Sequence, residues 1–238
     1  MVIFGVLLNL IIICLVMLSN PIAINAGQNN NLSTALVSRG WQEFTFENKS
    51  PNKYSPCGLG CIQVISQSSV SMLGRSIKKK LTSNSVLSWE WEILKPVLFS
   101  DITSKGSDDR SLALYITFPF DPETASFREK ILRPMVELIE GENAPGRMLS
   151  YIWTGYGKAD ELYRSPFYGD VNVMIIKRNS SDPLNKWLKE SVNLVADYQR
   201  AFGSKPNTIS EILIGADTDD LLGSSIGRLR NLDLSQDK

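Results

Sequence analysis

Two apolar stretches constrain the fold of this 238-residue chain. In the first, residues 86–93, Trp89 and Trp91 alternate with serine and glutamate. Side chains on a β-strand point alternately to its two faces, so this pattern predicts a strand with one buried and one solvated face. In the second, Leu112–Phe118, apolar residues occupy both parities, which is typical of a strand covered on both faces. The two stretches therefore predict the central strands of a β-rich domain.

The rest of the chain repeats this pattern in shorter pieces. Further strands are predicted at residues 41–46, 61–66, 68–75, 149–153, 171–177, 187–190, 209–216 and 226–234. About nine short strands separated by turn residues favour a mostly β fold, an antiparallel β-sandwich of jelly-roll-like type. The alternating order of strands and helices that marks a parallel sheet is missing from the sequence.

Two segments have the spacing of helices. Asp121 and the proline after it form a helix start signal, and apolar residues then recur every three or four positions through about residues 121–141. Pro134 lies inside this segment and is expected to break or kink it. Residues 192–202 form the second predicted helix, with Gly203 as its C-terminal stop. We expect both helices at the periphery, the first as an insertion between strands.

The N-terminus predicts export. Residues 2–18 are apolar apart from Gly5 and Asn9, no charged residue occurs before Arg39, and the small residue Ala26 follows a break in the apolar run. This is the layout of a secretory signal peptide of residues 1–26. We expect cleavage after Ala26 and a periplasmic or extracellular protein without a stable membrane span. Retention of the apolar run as a membrane anchor is the alternative, since a spanning helix needs about 20 such residues.

Composition narrows the domain organisation and the function. Residues 27–40 predict a flexible leader, and residues 41–238 suit one domain with a single core. In the whole chain 25 Lys and Arg balance 25 Asp and Glu, so no strong field attracts nucleic acid. The chain contains no histidine, which excludes a histidine-dependent triad and a zinc site built on imidazole.

Cys57 and Cys61 are separated by Gly-Leu-Gly. In an oxidising compartment this spacing allows a local disulfide across a flexible turn. A thiol redox pair, the alternative, usually has two intervening residues and lies beside a helix. We expect a structural disulfide.

A series of short motifs, in this order and spacing, resembles a family of exported bacterial proteins classed as domain of unknown function 3047. The resemblance runs from Trp41 to about Gly223. Its pieces are Leu87–Trp91, Asp108-Asp109-Arg110, Tyr151-Ile152-Trp153, Trp187, Glu190, Asp197-Tyr198, Ala201-Phe202-Gly203, Pro206, Ile209, Ile214 and Asp217-Thr218-Asp219. The chain departs from the family after Asp219, where Asp220–Gly223 replaces an expected Asn-Thr-Gly, and in the last strand, where Arg228-Leu229-Arg230 replaces small and aromatic residues. The resemblance implies an exported, sandwich-like domain and no assigned activity.

Charged residues flank two of the predicted strands. Asp217 and Asp219 follow the strand at 209–216, and carboxylates at this spacing can converge on Ca²⁺. The EF-hand pattern is not met, and a solvated turn with hydrogen-bonded aspartates is the alternative. Asp109 and Arg110 lead into the apolar strand, where they would bind a sugar at a sheet edge or form a pair that fixes the entry to the strand. Asp197 is an alternative partner of Arg110.

Tryptophan faces stack on sugar rings in many glycan binders, and tryptophan also fills sandwich cores. The parity of Trp89 and Trp91 favours the core. Trp153 and Tyr156 lie beside the turn at residues 154–157 and are the best candidates for exposed sugar-binding rings. On this interpretation Trp153→Ala abolishes glycan binding and leaves folding intact.

Catalytic signatures are missing from the sequence. The pairs Glu90/Glu92 and Asp109/Asp217 could be nominated for a glycosidase, which needs two carboxylates across a cleft. The chain has no nucleophile elbow, phosphate-binding loop or Cys–His pair. The sequence therefore predicts a non-catalytic exported binding module for a carbohydrate or envelope component, with Asp109, Arg110, Trp153, Tyr156, Asp217 and Asp219 at the ligand. An envelope assembly protein with a protein partner is the alternative, and a carboxylate-based hydrolase comes third.

Overall fold

A computed structural model of the chain describes residues 24–25, 32–140 and 144–236. The predicted cleavage site after Ala26 and almost all of the predicted signal peptide lie outside these described residues. No helix in the described part of the chain is long and apolar enough to cross a membrane.

The described residues form thirteen strands and three helices. The strands are β1 (Ile24–Asn25), β2 (Gln42–Phe46), β3 (Lys53–Pro56), β4 (Ile62–Gln67), β5 (Val70–Lys80), β6 (Ser85–Lys95), β7 (Arg110–Pro119), β8 (Pro145–Thr154), β9 (Leu162–Ser165), β10 (Gly169–Arg178), β11 (Leu188–Asn193), β12 (Thr208–Asp217) and β13 (Ser224–Gln236). The helices are α1 (Thr34–Val37), α2 (Phe127–Glu140) and α3 (Leu194–Phe202).

The strands form two sheets. The larger has eight strands in the order β1-β2-β5-β12-β7-β8-β10-β9, and the smaller has five in the order β11-β6-β13-β4-β3. Neighbouring strands are antiparallel except for β8 and β10, which are parallel. This architecture confirms the predicted mostly β, jelly-roll-like sandwich. Strand β7, which contains the apolar run, lies between β12 and β8 within the larger sheet.

An aromatic core joins the two sheets. Trp89 and Trp91 of β6 are fully buried, with ring centroids 5.4 Å apart. The Trp91 ring lies 5.6 Å from that of Trp153, and the Trp89 ring lies 5.2 Å from that of Tyr151, both on β8. Offset and edge-to-face aromatic contacts of this length stabilise a core beyond simple area burial. The parity prediction for Trp89 and Trp91 is therefore confirmed.

The helices begin and end where side chains satisfy their backbone. Helix α3 starts two residues later than predicted because β11 extends to Asn193, whose side chain then accepts from the backbone N–H of Ala196 at 2.9 Å. Gly203, with φ of 75°, ends it. Helix α2 continues past Pro134, so the proline does not end it. In the predicted leader, α1 places Leu36 in the core, where it is fully buried.

The larger sheet is covered on both faces. Its inner face packs on the smaller sheet. Its other face, here called the outer face, carries a second apolar cluster of Ala113, Tyr115, Ile152, Met174, Ile176 and Leu213, onto which Ile102 packs from the loop at residues 96–109. Half-buried Phe44, Met72, Met148 and Tyr163 border this cluster. The prediction that the strand Leu112–Phe118 is covered on both faces is therefore confirmed.

Cys57 and Cys61 form a disulfide with Cα atoms 5.0 Å apart, closing the turn between β3 and β4.

Candidate functional site

An ion-pair network joins the ends of two central strands. Arg110 begins β7 and Asp217 ends β12, and the two residues are paired across the strands. The Nη2 atom of Arg110 lies 2.5 Å from Oδ2 of Asp217 and 3.2 Å from Oδ2 of Asp108. All three residues are buried, with Asp108 only 1% exposed. Arg110 thus has two carboxylate partners. The alternative prediction, that Asp197 is the partner of Arg110, is wrong, because Oδ2 of Asp197 accepts from the Tyr151 hydroxyl at 3.0 Å.

The neighbouring aspartates hold loops against these strand ends. The Asp109 carboxylate accepts hydrogen bonds from the backbone N–H groups of Asp220 at 3.2 Å and Leu221 at 3.3 Å. Asp219 forms an ion pair with Lys49, from the loop before β3. We call Lys49, Asp108, Asp109, Arg110, Asp217 and Asp219 the aspartate–arginine cluster. It ties the turn between β12 and β13 to β7.

Burial dominates the protonation of this cluster. It raises the pKa of Asp108 to about 6, although Arg110 opposes the shift. It likewise raises the pKa of Asp109 to about 6, against the hydrogen bonds from the turn. The pKa of Asp217 is raised well above its usual value by burial, with Arg110 again opposing. Burial also acts on Asp219, but hydrogen bonds with Asp217 and Lys49 prevail and lower its pKa. The cluster therefore contains carboxyls that titrate near neutral pH.

The cluster gives the calcium hypothesis no support. Among the described residues, no group of three or more acidic or cysteine side chains is arranged to hold a metal ion. Asp217 is engaged by Arg110, and Asp219 is engaged by Lys49. Ca²⁺ prefers six to eight oxygen ligands, whereas these carboxylates already face cationic groups.

The prediction that Trp153 is an exposed sugar-binding ring is wrong. Trp153 is fully buried, and its indole Nε1 donates to the backbone oxygen of Asn179 at 3.0 Å. It has the same parity as Tyr151, and both point to the inner face. Truncating Trp153 would therefore damage the core, contrary to the expectation that folding stays intact. Tyr156 is 82% exposed on the loop after β8 and makes no part of the cluster.

The acidic pairs nominated for a glycosidase are engaged by other groups. Oε2 of Glu90 lies 2.8 Å from Nε of Arg230, and Oε1 of Glu92 lies 3.2 Å from Nη1 of Arg228. Both arginines belong to β13, the neighbouring strand of the smaller sheet. Asp109 binds backbone amides and Asp217 binds Arg110, as described above. These carboxylates therefore act in cross-strand pairs and loop contacts.

A second polar group lies on the outer face of the larger sheet. Cross-strand pairing places Glu211 of β12 opposite Thr117 of β7, Thr117 opposite Met148 of β8, and Met148 opposite Asn172 of β10. Ser150, two residues along β8, donates from Oγ to Oδ1 of Asn172 at 2.7 Å. We call Glu211, Thr117, Ser150 and Asn172 the polar row. It crosses four adjacent strands and borders the outer apolar cluster.

The polar row is incompletely satisfied. Thr117 is 1% exposed, and its Oγ1 has no hydrogen-bond partner among the described residues. Buried hydroxyls are nearly always hydrogen-bonded, so this atom requires an explanation. Burial raises the pKa of Glu211. The sequence interpretation missed this row because Thr117 stands inside an apolar run; a polar residue at the outward parity of a central strand was the available signal.

Two aromatic side chains border the apolar cluster that lies beside the polar row. Phe44 on β2 lies over Gly74 of β5, where a Cβ atom would come within 2.6 Å of the Phe44 ring. The missing side chain thus allows the ring to lie close against the sheet. On the opposite side Tyr163 of β9 is half-buried, and its hydroxyl donates to Oε2 of Glu161 at 2.6 Å. The outer face therefore combines apolar rings with a few polar groups.

Several solved structures have an overall likeness to this chain. The xyloglucanase domain of NopAA, a type three effector from Sinorhizobium fredii, in complex with cellobiose, is 8% identical, with 84% of this chain and 95% of that chain covered and a TM-score of 0.45. The native family 12 xyloglucanase from Bacillus licheniformis is 11% identical, with 92% and 98% covered and a TM-score of 0.44. Endoglucanase 3 from family GH12 of Trichoderma harzianum is 10% identical, with 92% and 96% covered and a TM-score of 0.43. At these values the likeness concerns architecture alone.

Sequence comparison identifies the family. No curated protein matches the chain. The sequence pattern of one family matches residues 39–232, most of the chain and nearly all of the two sheets. The chain therefore belongs to the family described as "Protein of unknown function (DUF3047)".

Proposed function

We propose that this protein is a non-catalytic, exported binding module for a carbohydrate or a carbohydrate-bearing component of the cell envelope. The observation that carries the proposal is the outer face of the larger sheet. There a polar row crosses four strands beside the outer apolar cluster, which half-buried Phe44 and Tyr163 border. Ligand sites typically combine such apolar surfaces with a small number of placed polar groups.

The chemistry of sugars suits this face. A sugar ring has apolar C–H faces and a rim of hydroxyls that both donate and accept hydrogen bonds. Aromatic rings contact the former, while a carboxylate, an amide and hydroxyls meet the latter. Tyr156 and Phe167, which are 82% and 42% exposed, provide further rings on the loops after β8 and β9.

Two arguments favour binding over hydrolysis. The carboxylate pairs considered for catalysis are engaged by arginines or backbone amides. The pKa of Glu211 is raised by burial, without a contribution from a second carboxylate. A glycosidase of the usual kind places two carboxyl groups about 5–10 Å apart, and such close acidic partners shift each other's pKa.

Export is part of the proposal. The apolar N-terminal run ending at Ala26 has the layout of a signal peptide. The Cys57–Cys61 disulfide supports it, because structural disulfides persist chiefly in oxidising compartments. A glycan of the envelope or its surroundings is then the accessible ligand.

The test is affinity electrophoresis of the purified protein in gels containing xyloglucan or carboxymethyl-cellulose, together with sedimentation on peptidoglycan sacculi. We expect retardation or co-sedimentation with at least one probe. Phe44→Ala and Tyr163→Ala should each weaken that binding about two- to tenfold, the range expected for one aromatic contact.

Phe127→Ala is the matched control, because Phe127 is an 80% exposed ring on α2 and is not a residue of the larger sheet. It should bind like the unchanged protein. Failure of the unchanged protein to bind any probe would overturn the proposal, as would equal binding by all three variants.

A further inference from the structure

Part of the loop between β6 and β7 lies over the outer face of the larger sheet. We call residues 98–107 of this loop the strap. We infer that the strap is a lid, which covers the outer apolar cluster in the resting protein and lifts to admit the ligand. This inference rests on the proposed function and adds how access to the outer face is controlled.

The strap crosses the outer face from the end of β8 to the edge of the sheet. Near its start, Oγ of Ser100 accepts a hydrogen bond of 3.0 Å from the backbone N–H of Gly155, just after β8. In the middle, the side chain of Ile102 is 3% exposed and packs on the outer apolar cluster. Further along, Nζ of Lys105 lies 5.3 Å from the centroid of the Phe167 ring, in the turn between β9 and the neighbouring β10. The strap therefore shields the cluster from solvent.

The strap has a hydrogen-bond framework of its own. The Asp101 carboxylate accepts from the backbone N–H of Thr103 at 3.0 Å and from the hydroxyls of Thr103 at 2.6 Å and Ser104 at 2.9 Å. The backbone N–H of Asp101 donates to the backbone oxygen of Ser107 at 2.8 Å. Loops that are closed in this way form compact surface units. Because these bonds run between residues of the strap, they would stay intact while it moves.

The two flanks of the strap are fixed to the sheet. On one side Val97 is buried, and its backbone N–H donates to Oγ of Ser111 at 2.8 Å. On the other side Asp108 is buried and paired with Arg110. Gly106, beside this second flank, has a φ of 81°, and a Cβ atom there would meet open space within the described fold. Glycine at this position gives the backbone the freedom that a hinge requires.

The surface beneath the strap keeps it closed at rest. Ile152 and Met174 of the outer apolar cluster are fully buried, and lifting Ile102 away would expose such groups to water. A ligand with an apolar face, such as a sugar ring, can cover the cluster in place of the strap, so it binds the open state more tightly than the closed one. When the competent state is a minor population, the apparent affinity is reduced by its fraction. Loosening the strap should therefore strengthen binding.

Ile102→Ala tests the lid, because it removes the side chain that packs on the cluster. Without ligand, we expect hydrogen peroxide to oxidise Met174 about three- to tenfold faster than in the unchanged protein, as measured by mass spectrometry. The same variant should bind about two- to tenfold more tightly to whichever of xyloglucan, carboxymethyl-cellulose and peptidoglycan sacculi retains the unchanged protein. Adding that probe to the unchanged protein should speed hydrogen exchange at the Gly155 amide, whose partner is on the strap.

Two further variants separate the lid from a general loss of stability. Lys105→Ala removes the contact with Phe167 at the protein surface, and Met174 should again be oxidised faster, by a smaller factor. Ile62→Ala is the matched control, the same substitution as Ile102→Ala at a residue that is 5% exposed on β4 of the smaller sheet. It weakens the inner core and leaves the contacts of the strap in place. Its Met174 oxidation and its binding should match those of the unchanged protein.

The outcomes distinguish the lid from the proposed function. If the unchanged protein binds a probe but Ile102→Ala neither oxidises faster at Met174 nor binds more tightly, the inference fails and the proposed function survives. Equal changes in Ile102→Ala and Ile62→Ala, or slower exchange at Gly155 when the probe is added, would also overturn the inference. If neither the unchanged protein nor Ile102→Ala binds any probe, both the inference and the proposed function fail.

Discussion

Two of the buried polar groups on the larger sheet differ in how they are satisfied. In the aspartate–arginine cluster, Arg110 faces two carboxylates, Asp109 accepts two backbone N–H groups, and Asp219 faces Lys49. In the polar row, Thr117 has no partner for its hydroxyl among the described residues. The cluster joins strand ends to loops, whereas the row crosses the middle of four strands. The first arrangement ties loops to strand ends, and the second lies beneath the face on which the proposed function places the ligand.

The cluster and the row differ in what replaces the water that a polar side chain loses when it is buried. A buried charge is tolerated when an opposite charge and hydrogen bonds compensate its desolvation. The cluster supplies that compensation from within the chain, although Oδ1 of Asp108, Nε of Arg110 and Oδ1 of Asp217 stay unpaired among the described residues. The row supplies it only for Asn172 and Ser150. Removing a cluster residue should therefore harm folding more than removing a row residue.

The largest expected effect follows from Arg110→Met. This change leaves Asp108 and Asp217 buried without the guanidinium that faces both of them. Breaking a buried pair from one side costs about 3–5 kcal/mol. We expect a loss of this size in the free energy of unfolding at pH 8, measured by urea denaturation, and a smaller loss at pH 5, where the carboxyls take up protons.

Arg164→Met is the control for Arg110→Met. Arg164 pairs with Asp170 at 3.0 Å, and both side chains are exposed, by 60% and 62%, so the pair is screened by solvent. Exposed pairs contribute about 0–1 kcal/mol. Equal losses in the two variants would contradict the structural role assigned to the aspartate–arginine cluster.

The pH dependence of stability gives the next effect. The folded pKa of Asp108 and of Asp109 is about 6, above the value near 3.9 expected for an unfolded aspartate. Between these values the folded state binds more protons than the unfolded state, so the free energy of unfolding rises as pH falls. We expect an increase from pH 7.5 to pH 5, measured by urea denaturation at several pH values. The chain has no histidine to titrate in this window.

Asp109→Asn is the matching variant for the pH series. It keeps an acceptor for the backbone N–H groups of Asp220 and Leu221 but cannot titrate. Its stability should therefore vary less steeply between pH 7.5 and pH 5. A decrease in the stability of the unchanged protein over this window would show that the buried carboxyls are not the titrating groups.

Much of the fold follows from local patterns. The alternation around Trp89 and Trp91 predicts a half-buried strand, and both tryptophans lie in the core. The order of the strands in the sheets is harder to predict from the sequence, because β12 lies between β5 and β7 and pairs with residues distant along the chain. The short strands β3 and β9 were not predicted, because they contain residues that also occur in loops, such as Pro56 and Arg164. Their pairing partners, and not their composition, make them strands.

The candidate site could be predicted from the sequence only in part. Asp109, Arg110 and Asp217 were each singled out, but the contact of Arg110 with Asp217 spans 107 residues and depends on strand register. Trp153 was misassigned because the turn after it suggested exposure, whereas its parity with Tyr151 directs it inward. Thr117 and Glu211 were not predicted as site residues. The role of each depends on which strand lies beside it, and the sequence alone does not identify that strand.

The smallest expected effect comes from replacing a carboxylate by an amide in each of the two regions, the polar row and the aspartate–arginine cluster. Glu211→Gln should leave the free energy of unfolding at pH 7 within about 0.5 kcal/mol or raise it slightly, because burial disfavours the charge that this change removes. Asp219→Asn should lower it by up to about 1 kcal/mol, because Asp217 and Lys49 favour the ionised form of Asp219. Urea denaturation of both variants in one buffer measures the difference. A stabilising Asp219→Asn together with a destabilising Glu211→Gln would reverse the comparison, because the charge in the polar row, and not that in the cluster, would then stabilise the fold.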